Sequence, residues 1–153
     1  ATFVRYIEGD TIIDGVDYKK MYQRVIDYVE EQFGPPLEPP YNLLPGKDLI
    51  AVLRDDLLAR RVYGRTTNFY LGTPELSVDT LFHDYSLGVG DTLVGFYFNG
   101  DFALAPSSLV IDGVGEEECY GRICRYQQIG NARFYEGIGS PHLGPTSGGI
   151  LFF

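Results

Sequence analysis

The chain has no tryptophan, a single methionine, two cysteines, two histidines and only three lysines in 153 residues. Each scarcity removes something. With so little lysine the formal net charge is −9. Such a surface repels phosphate backbones, and nucleic-acid binding draws most of its affinity from basic contacts, so no nucleic-acid partner is expected. The same repulsion argues against an anionic membrane surface. No run approaches the roughly 20 apolar residues of a membrane-spanning helix. Arg5, Glu8 and Asp10 interrupt any apolar stretch near the start, so no signal peptide is read there, and no Asn-x-Ser/Thr sequon occurs. The expected setting is soluble, in cytoplasm or a virion.

Cys119 and Cys124 stand five residues apart. On one regular strand they would point to opposite faces, and a bridge would need a turn or bulge at Gly121. The expectation is therefore two reduced thiols. With no second cysteine pair and two histidines far apart, no metal is expected. There is no Gly-x-Ser-x-Gly elbow, Walker loop, Gly-x-Gly-x-x-Gly, His-Glu-x-x-His or EF-hand loop. No cofactor is implied, and the balance leans away from an enzyme.

Glycine, tyrosine and phenylalanine are plentiful: 19, 12 and 10 residues. Aromatics suit a pleated surface and glycine suits tight turns, so much of the chain should be sheet. The first half nevertheless reads as helical. After strands at 3–7 and 11–13 around a Gly9-Asp10 turn, Tyr18, Met21, Tyr22, Val25, Ile26, Val29 and Phe33 recur at spacings of three and four. That is an amphipathic helix pattern, capped by Asp14 or Asp17 and stopped at Gly34-Pro35-Pro36. Residues 35–45 hold five prolines and read as an extended strap over the core, rather than a polyproline ligand. Leu49, Ile50, Leu53, Leu57 and Leu58 give residues 47–62 the look of a second helix, with Arg60-Arg61 at its negative end. Strands follow at 67–71 and within 76–85. Further strands flank Asn99-Gly100 and Gly130-Asn131, two hairpin signals.

The expected fold is α+β: two N-terminal amphipathic helices, then an antiparallel sheet or partly open barrel. Residues 1–138 form one domain, and 139–153 a Gly/Pro-rich arm ending Ile150-Leu151-Phe152-Phe153.

Few residues invite chemistry. His83-Asp84 resembles a carboxylate-oriented general base, but strand neighbours point to opposite sides, so the pair reads as polar surface. His142 lies in the Gly-rich arm. Glu116-Glu117-Glu118 and Asp55-Asp56 read as solvated acids. The arginines at 54, 60, 61 and 65 form the one basic cluster, read as serving a helix C-terminus.

Arginine outnumbers lysine nine to three, and tyrosine with arginine marks protein interfaces. The expected function is a structural or assembly subunit working through protein–protein contacts, as a homo-oligomer or larger assembly. A capsid or tail component of a virion is one such setting. The expected interface is Arg122, Arg125, Tyr126, Arg133 and Tyr135, with Ile150, Leu151, Phe152 and Phe153. One alternative is a small-molecule binder or small enzyme with a tyrosine-lined pocket around His83, Tyr85 and Tyr97. Another is an acidic inhibitor or immunity-type protein that takes a basic partner.

Overall fold

The computed structural model describes residues 3–27, 42–68, 73–98 and 104–137. Among these there is no helix; the chain is all-β and antiparallel, not α+β. Eleven strands among the described residues form three sheets. The largest has six strands: β1 (Phe3–Ile13), β2 (Val16–Val25), β3 (Asp48–Asp56), β4 (Arg61–Asn68), β5 (Thr73–Leu76) and β6 (Thr80–Asp84), with β5 and β6 both pairing β4. The ribbon of β7 (Thr92–Phe98) and β8 (Leu104–Val110) follows. A three-stranded sheet of β9 (Gly113–Cys119), β10 (Arg122–Ile129) and β11 (Ala132–Tyr135) ends the described chain. No helix among the described residues is long and apolar enough to cross a membrane.

Where the two expected helices fall on described residues, the chain is strand and turn instead, for local reasons; Val29, Phe33 and the Gly34-Pro35-Pro36 stop lie outside the described residues. Asp14 and Gly15 adopt φ of 53° and 78°. They close a two-residue hairpin between Ile13 and Val16 rather than capping a helix. Along β2 burial falls on Tyr18, then Met21 and Gln23. On a strand an odd step changes face, so Tyr18, covered by Arg65, lies opposite Met21, which belongs to the core; burial on both faces of β2 produces a spacing that imitates a helix. In β3 the run Ile50, Ala51, Val52 and Leu53 is buried throughout. A strand covered on both faces shows a continuous apolar run, and that run also satisfies a helical template. Residues 57–60, expected as the helix's last turns, form the β3–β4 turn. There Arg60 takes φ 56° and the Asp56 carboxylate accepts the Ala59 amide at 3.0 Å.

The remaining sequence signals fare unevenly. The Gly9-Asp10 turn is instead a bulge inside one long β1, with φ 73° at Gly9. Gly130-Asn131 joins β10 to β11 as a two-residue hairpin. The Asn99-Gly100 turn lies outside the described residues, although β7 and β8 pair on either side of it. Most of the proline strap also lies outside them. The chain leaves β2 at Asp27 and returns beside it, with the Asp27 amide 2.7 Å from the Asn42 carbonyl. Cys119 and Cys124 are joined in a disulfide rather than free. Tyr120 and Gly121, at φ 50° and 77°, fold β9 onto β10, which brings the two cysteines diagonally across one hairpin.

The core lies against the large sheet: Met21, Ile50, Ala51, Leu53, Val62, Phe82 and Tyr85, with Ile7 and Phe134 packed on it. Phe134 comes from β11, so the small sheet shares the large sheet's core. At Gly64 the side chains of β3 and β6 close over a strand with no Cβ. One placed there would lie 2.6 Å from Phe82 Cε2 and 2.8 Å from Leu53 Cδ2. Gly64→Ala should therefore overpack this crossing and cost about 1–3 kcal/mol. Urea unfolding of the variant beside the parent checks this, and an unchanged midpoint would contradict the close packing.

Candidate functional site

The two sheets meet through a buried polar junction. His83 on β6 and Gln127 on β10 are 4% and 2% exposed, and His83 Nε2 lies 2.7 Å from Gln127 Oε1. Gln127 Nε2 donates to the Asp84 carbonyl at 3.0 Å and the Leu87 carbonyl at 2.8 Å. The amide oxygen therefore faces the imidazole as an acceptor, and His83 Nε2 carries the proton. The imidazole stacks on Phe134 at 5.1 Å and tilts against Tyr85 at 4.3 Å. Tyr85 Oη donates to the Tyr135 carbonyl at 3.0 Å. Arg60 makes a two-pronged pair with Glu136, at 2.9 and 2.8 Å, from the β3–β4 turn to the end of β11.

Burial sets the protonation states here. Desolvation holds the His83 imidazole down to about 4, outweighing the Gln127 hydrogen bond and the attraction of Asp84. It also pushes the Tyr85 phenol up. Desolvation alone would raise Asp84, but hydrogen bonds from Ser86 and Arg61 reverse it and hold the carboxyl below its usual range. His83-Asp84 is thus not the polar surface pair expected; both residues are buried. Asp84 turns to Arg61 (2.8 Å) and to the Ser86 amide (2.9 Å). The ring of His83 is engaged in joining sheets.

The basic cluster is neutralised in place and serves no helix. Arg54 pairs with Asp79, Arg60 with Glu136, Arg61 with Asp84 and Arg65 with Asp14. The three consecutive acids stand on β9 and not in a loop. Glu116 pairs with Arg125, and Glu117 with Arg133 while also accepting from the Tyr135 hydroxyl. Among the described residues no group of three or more acids, histidines or cysteines could hold a metal ion.

The expected interface residues are placed unequally. Arg122 is exposed at the start of β10. Arg125 is exposed and bound to Glu116 at 3.0 Å. Arg133 stacks over Tyr126 at 4.6 Å, and Tyr135 is buried. Ile150, Leu151, Phe152, Phe153 and His142 lie outside the described residues. Of the alternative pocket, His83 and Tyr85 are side by side. Tyr97 stands on β7 opposite Ala105, with its side chain outside the described residues.

Two clefts flank the junction. One, of about 360 Å³, is bordered by Arg60, Tyr85, Arg125, Tyr126 and Gln127. The other is a groove of about 450 Å³ between the β3–β4 turn and the start of β10. Its walls carry Asp55 and Leu57 on one side and Arg122 and Ile123 on the other. Leu57, Leu58 and Ile123 are 84%, 100% and 69% exposed. Sequence reasoning missed this set because it placed both leucines on a helix's apolar face. An Asp-Asp-Leu-Leu-Ala-Arg stretch read as a turn would have revealed them.

No family model matches the chain, no curated protein matches its sequence, and no solved structure matches it.

The His83 junction makes acid stability predictable. The folded imidazole titrates near 4 and a free one near 6.5. Between these values the unfolded chain binds the extra proton. The stability it confers is complete above pH 6.5, is lost as pH falls towards 4, and then stops falling. At about 1.4 kcal/mol per pH unit the loss is about 3 kcal/mol. Urea midpoints from about pH 7.5 to 4 should show it, and His83→Phe should flatten that part of the curve. Gln127→Leu strands His83 Nε2–H and two carbonyls and should cost about 2–3 kcal/mol at neutral pH; a neutral result would contradict the junction.

Proposed function

We propose that this chain is an assembly module that works through protein–protein contacts and binds copies of itself. The observation that carries this reading is the groove rim. Leu57 and Ile123 border one concave surface and Leu58 follows Leu57 at the turn tip, all three standing mostly or wholly in water. Leucines at an open turn tip contribute nothing to their own core, and clustered exposed apolar residues mark interaction sites. The catalytic-looking histidine supports the same reading from the other side, since its ring is consumed in joining sheets.

A second reading, a small-ligand binder, is favoured by the 360 Å³ cleft beside Tyr85 and Tyr126. It places the ligand between Arg60 and Arg125, where an anionic group would compete with Glu136 and Glu116 for the guanidinium groups.

Light scattering after size exclusion tests the assembly reading. The full chain should give a mass above that of a monomer, rising with concentration. A monomer at every concentration up to about 1 mM overturns self-assembly, that being the affinity range of the weakest specific contacts. A truncation ending at Gly139 then apportions the contact. Retained assembly assigns it to the described sheets, and lost assembly assigns it to the arm that carries Ile150 to Phe153.

A further inference from the structure

The groove has two walls of opposite character. On the first, Asp55 stands near the end of β3 and Leu57 opens the turn; on the second, Arg122 and Ile123 begin β10. Most of the charge between them is already spent within the chain. Arg60 binds Glu136, Arg61 binds Asp84, Arg125 binds Glu116, and Asp56 accepts the Ala59 amide. Asp55 and Arg122 are the exceptions. Both border the groove, yet neither joins an ion pair or a side-chain hydrogen bond among the described residues. Desolvation raises Asp55 above the usual carboxylate range, against the weaker pull of Lys19, which is itself paired with Asp10.

Each wall thus presents one unspent charge beside one exposed aliphatic side chain, and the two walls carry opposite charges. A surface of that kind is its own complement under a two-fold rotation. An isologous contact sets each patch against the same patch on the other copy, so residue i meets j and j meets i. We propose that this groove is the dimerisation surface of the chain, with a second copy as its occupant. Asp55 of each copy faces Arg122 of the other, and Leu57 packs against Ile123 across the same contact. Leu58, wholly exposed at the turn tip, extends the apolar part of the contact. The carboxylate and guanidinium set the register, and the aliphatic side chains supply the driving force. This rests on the assembly reading above, which it narrows to one surface and one symmetry.

A two-fold contact permits a test that no arrangement within one chain can pass. Asp55→Arg sets guanidinium against guanidinium at both symmetry-related contacts, and Arg122→Glu sets carboxylate against carboxylate at both. Each variant alone should dimerise at least about tenfold more weakly than the parent. In an equimolar mixture the hetero-pair is different. On one side the guanidinium introduced at position 55 meets the carboxylate introduced at position 122. On the other side the unaltered Arg122 of the first variant meets the unaltered Asp55 of the second. Both contacts are restored, and sedimentation should return a dimer. A cooperative thermal melt of each variant confirms that it is folded, as both positions are exposed. Leu57→Ser with Leu58→Ser should keep the parent's circular dichroism and leave the chain monomeric. A parent dimer that tolerates both charge substitutions overturns the groove proposal and leaves the assembly reading standing. The proposal also falls if each variant is monomeric and the mixture stays so. A parent that is monomeric throughout removes both readings.

Discussion

The mutual placement of the two larger sheets depends on a pair of side chains that scarcely meets water. His83 and Gln127 join β6 to β10, and they are the only histidine and one of two glutamine side chains buried among the described residues. A buried polar pair is costly unless every donor and acceptor is satisfied, and here the amide satisfies three partners at once. The arrangement admits one tautomer, one amide orientation and one relative placement of the two sheets. Phe134 stacking on the imidazole and Arg60 reaching Glu136 both presuppose that placement. The groove exists for the same reason. Its two walls come from β3 and β10, which share no ladder and take their spacing from this junction and the contacts around it.

That dependence explains which parts of the fold were legible in sequence. Gly130-Asn131 signals its hairpin through backbone chemistry that is local, and the hairpin forms. Asp14-Gly15 carries the same kind of signal, but beside the apolar spacing that follows it Asp14 reads as a helix cap. Tyr18 and Met21 are three apart and both buried, as on a helix, because they stand on opposite faces of a strand and each face is covered there, Tyr18 by Arg65 and Met21 by the core. Periodicity is a reliable guide only while one face of a strand is buried; once both faces are covered at some positions, buried residues can fall an odd number apart. The run from Ile50 to Leu53 shows the same limit in full. A central strand buried on both faces has no alternation to read.

The candidate site was legible only in part. Arg122 was singled out as an interface residue, and it borders the groove. The rest of the groove could not be found, because whether Leu57 and Leu58 are core or surface turns wholly on the helix-or-turn decision. Gln127 was invisible for a different reason. Nothing distinguishes a glutamine in the middle of a strand until the strand that lies across from it is known. Its partners are 40 to 44 residues away in the chain.

The proposal that so acidic a chain binds itself faces an evident objection, since copies carrying −9 each repel one another. The objection weakens once distance is considered. At physiological ionic strength exposed charges are screened beyond about 8 Å. Most of the acidic surface therefore stops acting on a neighbour that approaches by one face, and what remains is the charge lining that face. In the groove this local balance is close to neutral: its arginines stand against Asp55, Asp56, Glu136 and the acids they already hold. Salt then acts in two opposite senses. It relieves the diffuse repulsion between whole chains, which favours association, and it would weaken the proposed Asp55–Arg122 contacts between copies, which opposes it. The first effect dominates at low ionic strength, where the repulsion reaches tens of ångströms. The second is all that is left once the Debye length falls below the spacing between the chains. In the proposed dimer the apolar contact between Leu57 and Ile123 would be insensitive to either and would set the affinity, while the charges would decide which of the surfaces that bury leucine closes on a two-fold axis.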